Sequence, residues 1–207
     1  MKPLARLLAV TNDTVCRTPD FSARAAAIAG VGPNIGLLVR APGSTAAQQA
    51  GFAGQALAAA RSGTATILVH ARPDLARAIS ADGVQLRRQD LAPKDARGVL
   101  TGGWIGVSVH DRAEAEAAIA EGADFVVAGN LFETASHPDR PARGLRWLEE
   151  ICALERPVIA IGGITPERAP AVRAAGAWGV AAISALWDAA DPPAAARAML
   201  EPWSGAV

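Results

Sequence analysis

A single parallel (β/α)8 barrel is the fold this sequence predicts, and three observations predict it. Eight short apolar runs rich in β-branched residues recur along the chain, each broken by Gly, Pro or polar residues. Within them apolar residues run on rather than alternate, as in strands covered on both faces. Between them lie Ala-rich segments of helical spacing with charges on one face. Right-handed crossovers wind such a strand–helix alternation closed.

The first run, Leu7–Asn12, leads into Asp13 with no G-x-G-x-x-G behind it. That absence counts against an open doubly wound sheet, the competing arrangement. The second, Ile35–Arg40, sits between the turn-rich stretches Gly30–Asn34 and Ala41–Thr45, and Thr66–His70 and Gly83–Leu86 follow. The fifth, Ile105–His110, precedes a helix over Arg112–Glu121 that Gly122 ends in a left-handed conformation. The sixth, Phe125–Asn130, precedes a helix over Leu145–Leu154. After the seventh, Val158–Gly163, Thr165 reads as an N-cap with Pro166 at the first helical position, opening a helix to Ala175 that Gly176 ends. Gly179–Ser184 completes the set, and Pro202–Val207 is expected to fray. With no low-complexity linker, residues 1–207 read as one compact domain.

Composition narrows the function. Twenty Lys+Arg balance twenty Asp+Glu, so no net field draws nucleic acid or an anionic membrane. Aromatic content is 4% with no Tyr, which removes the stacking platforms that single-strand binders use. No stretch approaches the roughly 20 apolar residues of a membrane span. The run Leu7–Val10 is too brief for a signal-peptide core. Cys16 and Cys152 lie far apart and form no CxxC pair, so a soluble, cytoplasmic protein is expected.

The strongest chemical signal is Ile161-Gly162-Gly163-Ile164-Thr165 together with Ile183-Ser184-Ala185. In a barrel these are the ends of strands 7 and 8. Paired glycines leave backbone amides approachable, and the segment that Ser184 opens adds helix-terminal amides, a pattern suited to phosphate. The structural alternative is a tight turn at Gly162-Gly163 and a cap at Ser184. Three histidines, His70, His110 and His137, fall at or just after predicted strand ends, where barrel enzymes keep their catalytic groups. Arg40, Arg72, Arg87, Arg88 and Arg143 lie near such ends, where a guanidinium suits carboxylate or phosphate. No H-x-H or HExxH spacing occurs, so no metal site is expected from the histidines. The five tryptophans, Trp104, Trp147, Trp178, Trp187 and Trp203, read as packing or subunit-contact residues, which leaves a homodimer open.

Several spaced stretches in the right order carry a family resemblance: Gly106–His110, Glu121–Phe125, Gly129–Thr134, Pro141–Leu145 and Ile161–Thr165. From about Leu7 to Leu186 the chain resembles the thiamine-phosphate synthase and TenI-type thiazole tautomerase family. The resemblance implies a phosphorylated thiazole ligand, with Thr134, Gly162, Gly163, Ile183 and Ser184 at its phosphate. With such a ligand, Ser108 and Asn130 are expected to orient the reacting ring, His70 or His137 to supply the proton-transfer group in a site rearranged from the family's, and Arg40, Arg72, Asp90 and Arg143 to take part in substrate binding.

The chain departs from the synthase branch, which joins a pyrimidine pyrophosphate to a thiazole phosphate with magnesium. That branch has Asn-Asp-Arg after strand 3 where His70-Ala71-Arg72 stands, so one of two metal carboxylates is missing and only Asp90 is retained. Of its Gln-x-Arg-x-Lys array, Leu38–Pro42 keeps Arg40 alone, and the Lys of its Thr-x-Thr-Lys run is His137. Pro141–Gly144 resembles the tautomerase branch better, yet that branch's His after strand 6 is Asn130 here. The leading expectation is therefore a tautomerase-like isomerase that needs no cofactor, magnesium entering only if synthase activity is retained. The alternatives are a non-catalytic binder of thiazole phosphate or thiamine phosphate and a divergent synthase.

Overall fold

In the computed structural model the described residues are 2–60, 64–134 and 141–205. Strands and helices alternate: β1 (Leu7–Val10), the single turn α1 (Asp13–Cys16), α2 (Phe21–Ala29), β2 (Ile35–Val39), α3 (Ala46–Ala59), β3 (Thr66–His70), α4 (Pro73–Ala78), β4 (Gly83–Leu86), α5 (Pro93–Leu100), β5 (Trp104–Val109), α6 (Arg112–Ala120), β6 (Phe125–Ala128), α7 (Gly144–Cys152), β7 (Val158–Ile161), α8 (Ala169–Ala174), β8 (Gly179–Ala182), α9 (Ser184–Trp187) and α10 (Pro192–Leu200), with a 3-10 turn at Glu201–Trp203. Each strand pairs in parallel with the next, and β8 closes on β1, giving the eight-stranded barrel that the sequence predicts.

Both faces of the strands are buried, which explains their unbroken apolar runs. Leu8, Val10, Leu38, Leu68, Phe125, Val127 and Ile159 fill the interior, while their neighbours Leu7, Ile35, Ile67 and Val126 pack outward under the helices. Gly106 makes room for this filling, since a Cβ there would lie 2.2 Å from the Phe125 ring. Helix starts are written locally. Thr45 and Gln48 form a capping box on α3, Asp111 accepts from the Glu114 amide at α6, and Asp191 accepts from the Ala194 amide at α10. No helix among the described residues is long and apolar enough to cross a membrane.

Boundaries of three kinds differ from expectation. Six strands end one or two residues early, at Val10, Val39, Val109, Ala128, Ile161 and Ala182. The residues past those points, mostly polar or Gly, already belong to the outward turns: Asn12 caps α1, for example, and Ser184 opens α9. The helix expected from Pro166 begins at Ala169, because Thr165–Arg168 first closes as a turn through the Arg168 amide and the Thr165 carbonyl. Near the C-terminus Trp203 is buried rather than frayed, its indole N–H donating to the Ala177 carbonyl. Gly122 and Gly176 take the left-handed conformation expected of them.

Candidate functional site

The upper layer of the barrel interior turns polar. Leu68 points inward, so two residues on His70 does too, in register with Gln85 on β4. Gln85 is buried, and its Nε2 donates to the Leu86 carbonyl at 2.7 Å and to the Ser108 hydroxyl at 2.6 Å. Its Oε1 lies 2.8 Å from Nδ1 of His70. Burial is the main force holding the His70 pKa below its ordinary value; Arg40 and Arg87 add to it, while the Gln85 bond and Asp90 oppose it. His70 is thus neutral near pH 7.

Cationic groups gather beside this chain. The Arg40 guanidinium is half-buried and donates to no partner among the described residues, and burial pulls its pKa down against the opposing pull of Asp13. Arg72 forms a two-bond pair with Asp74, and Arg87 grips Asp90, with Nη2 2.7 Å from Oδ1. A cavity of about 190 Å3 opens between the loops after β2 and β3, lined by Pro42, Gln49, His70, Arg72 and Arg87. Asp13 fastens the loop after β2, accepting from the Gly43 amide and the Ser44 hydroxyl.

The magnesium ion that the resemblance attaches to the synthase branch does not fit these residues. Asp90 has both oxygens engaged by the Arg87 side chain and amide. Burial pushes its pKa up, but those bonds together outweigh burial and keep it below the usual carboxylate range. Position 71 offers a methyl group in place of a second carboxylate. Among the described residues no three His, Cys, Asp or Glu side chains converge. A magnesium ion asks for free carboxylate oxygens in near-octahedral order.

Across the mouth, the segment after β6 is bound to the end of β7. The Leu131 amide donates to the Ile161 carbonyl at 2.8 Å and the Phe132 amide to the Gly162 carbonyl at 3.0 Å. This approach is what the paired glycines permit. A Cβ on Gly162 would lie 2.6 Å from that of Asn130, and one on Gly163, at φ 63°, would lie 2.5 Å from the Glu133 carbonyl oxygen. The glycines therefore admit the chain's own backbone. Arg168 holds the same turn, donating to the Gly163 carbonyl at 2.6 Å while lying over the Phe132 ring. The amides of Gly163, Ile164, Ser184 and Ala185 donate to no acceptor among the described residues.

The structure brings most of the expected residues to one end of the barrel. His70, Ser108, Arg40, Arg72 and Asp90 cluster over β2–β5, and Asn130, Gly162, Gly163, Ile183 and Ser184 lie at the ends of β6–β8. Thr134 closes the described stretch after β6, and His137 lies outside the described residues. Arg143 caps α7 and lies over the Trp147 ring at 5.2 Å, a packing role visible beside any ligand role. Arg88 pairs with Glu114, which also accepts from the His110 amide, so these residues brace the rim. Sequence reasoning missed Gln85, although a lone polar residue inside an apolar run was the available signal. It also missed the brace formed by Arg168.

A family model described as thiamine monophosphate synthase matches residues 7–186. A thiamine-phosphate synthase of Thermus thermophilus is 41% identical over 148 residues, covering 70% of this chain and 71% of that protein. That of Synechococcus sp. WH7803 is 43% identical over 139 residues, covering 66% of this chain but 39% of the longer relative. In structure, the Pyrococcus furiosus thiamine phosphate pyrophosphorylase superimposes with a TM-score of 0.82 at 30% identity, covering 95% of both chains. These names favour the synthase alternative over the tautomerase expected from Pro141–Gly144. A barrel closed by β8 on β1 and matches spread over nearly the whole length lead to one conclusion: the chain belongs to the thiamine monophosphate synthase family.

Proposed function

We propose that this barrel acts in thiamine biosynthesis on a phosphorylated thiazole, with the phosphate at the ends of β7 and β8 and the ring over Ser108 and His70. The observation that carries this reading is the set of four backbone amides, at Gly163, Ile164, Ser184 and Ala185, that have no acceptor among the described residues. Backbone donors of this kind recognise a phosphate group without a dedicated cation.

Of the family's reactions, the relatives' names support coupling to a pyrimidine diphosphate. In that step the thiazole ring nitrogen bonds to the pyrimidine methylene carbon as the carbon–oxygen bond breaks, and diphosphate leaves with the electron pair. The leaving group's charge would fall to Arg40, Arg72 and Arg87, since the carboxylates present do not suit a magnesium ion.

A metal-independent tautomerisation is the second reading. Its specific support is His70, which is neutral and within reach of the mouth. Two assays on purified protein separate them. Thiazole phosphate with the pyrimidine diphosphate, with and without EDTA, tests for diphosphate release. The thiazole carboxylate phosphate alone tests for isomerisation. Diphosphate release supports coupling and isomerisation supports the second reading; tight binding with neither would make the barrel a binding module.

A further inference from the structure

We propose that Gln85 sets the hydrogen-bond polarity of the barrel mouth, presenting His70 as an acceptor through Nε2 and Ser108 as a donor through its hydroxyl. The Leu86 carbonyl can only accept, and the Gln85 amide nitrogen lies 2.7 Å from it, so the orientation of the amide is fixed by chemistry. Its second proton goes to the Ser108 oxygen at 2.6 Å, and Oε1 is left facing His70 at 2.8 Å. An amide oxygen cannot donate, so Nδ1 of His70 must carry the proton in that bond. The groups facing the imidazole are Arg40 on the β2 side and Arg87 and Asp90 on the β4 side, and they leave the ring neutral. A neutral imidazole protonated on Nδ1 has its lone pair on Nε2. No partner among the described residues takes that atom. At the other end Ser108 already accepts from Gln85, so its own proton is the group it has to offer.

The consequence concerns ligand chemistry. A heterocycle seated here must place a donor or an acidic hydrogen over His70 and an acceptor, such as a ring nitrogen or a carboxylate oxygen, over Ser108. Gln85 touches neither ligand nor reacting atoms; it is a positioning residue. This assignment of ligand polarity rests on the reading that a phosphorylated thiazole occupies this mouth, and the test keeps the two apart.

Long-range proton–nitrogen NMR on 15N-histidine-labelled protein, assigned with His70→Gln, reads the tautomer directly. The expected spectrum has Nδ1 protonated and Nε2 bare near neutral pH. In Gln85→Met that preference is lost, and affinity for thiazole phosphate falls about tenfold while affinity for inorganic phosphate is unchanged. Because Gln85 is buried, Gln85→Glu serves as the volume-conserving second variant. Its carboxylate raises the His70 pKa, so both ring nitrogens become protonated and the pH profile of thiazole phosphate binding moves upward. A wild-type spectrum with Nε2 protonated, or a tautomer indifferent to both substitutions, overturns the proposal. The expected tautomer in a protein with no affinity for thiazole phosphate would instead unseat the ligand reading alone.

Discussion

The Arg168 guanidinium donates to the Gly163 carbonyl at 2.6 Å, tying the turn before α8 to the glycine pair after β7. That bond is exposed, and an exposed charge-assisted bond contributes about 0.5–1.5 kcal/mol. Arg168→Ala should weaken inorganic phosphate binding roughly two- to tenfold with an unchanged circular dichroism spectrum, as measured by calorimetric titration.

Gly163→Ala should be more damaging. Its φ of 63° strains any other residue, and the added Cβ meets the Glu133 carbonyl oxygen at 2.5 Å. A loss of about 1–3 kcal/mol in urea unfolding is expected, together with loss of phosphate affinity. An alanine variant as stable as the parent would show that the segment after β6 is loosely held.

His70 makes stability depend on pH in a defined direction. Its folded pKa lies below the value of 6.5 that applies to the unfolded chain, so the unfolded state binds the proton first on acidification. Its contribution is fully present above about pH 6.5 and declines as pH falls from there through the folded pKa. Urea midpoints between pH 7.5 and 5 should therefore fall more steeply for the parent than for His70→Gln, and parallel curves would contradict the shift.

Ala71 occupies the left-handed region at φ 61°, which costs a residue with a Cβ about 1 kcal/mol. Relief of that cost, set against about 0.4–1 kcal/mol for the added freedom of the unfolded chain, should leave Ala71→Gly level with the parent or up to about 0.6 kcal/mol more stable in urea unfolding. Whichever reaction is observed, removing divalent ions with EDTA should change its rate less than twofold. A loss of tenfold or more would show that Asp90 leaves Arg87 to bind a metal.

Sequence periodicity reveals the barrel because each strand is covered on both sides, so the eight apolar runs persist even where helices are short. Strand ends are harder to read. Residues such as Ile183 remain apolar after the ladder has stopped, since they still face the barrel interior. For the site, spacing locates His70 and Ser108 but is silent on Gln85, whose importance comes from the register that sets it opposite His70 on β3 and from its reach to Ser108, two residues beyond its β5 partner Gly106. The glycine pair shows the opposite case. It is conspicuous in the sequence, yet the steric demand it answers comes from Asn130 and Glu133, far away along the chain.

The pairing of Leu131 and Phe132 with the β7 turn carries a consequence for selectivity. Under the proposed function, the strip of backbone that would grip the anionic end of a ligand is stitched to the strip bearing Asn130. Because those bonds already hold the two strips together, a substitution that shifts the β7 turn would shift Asn130 with it, and recognition at one end of the mouth could not be altered without disturbing the other.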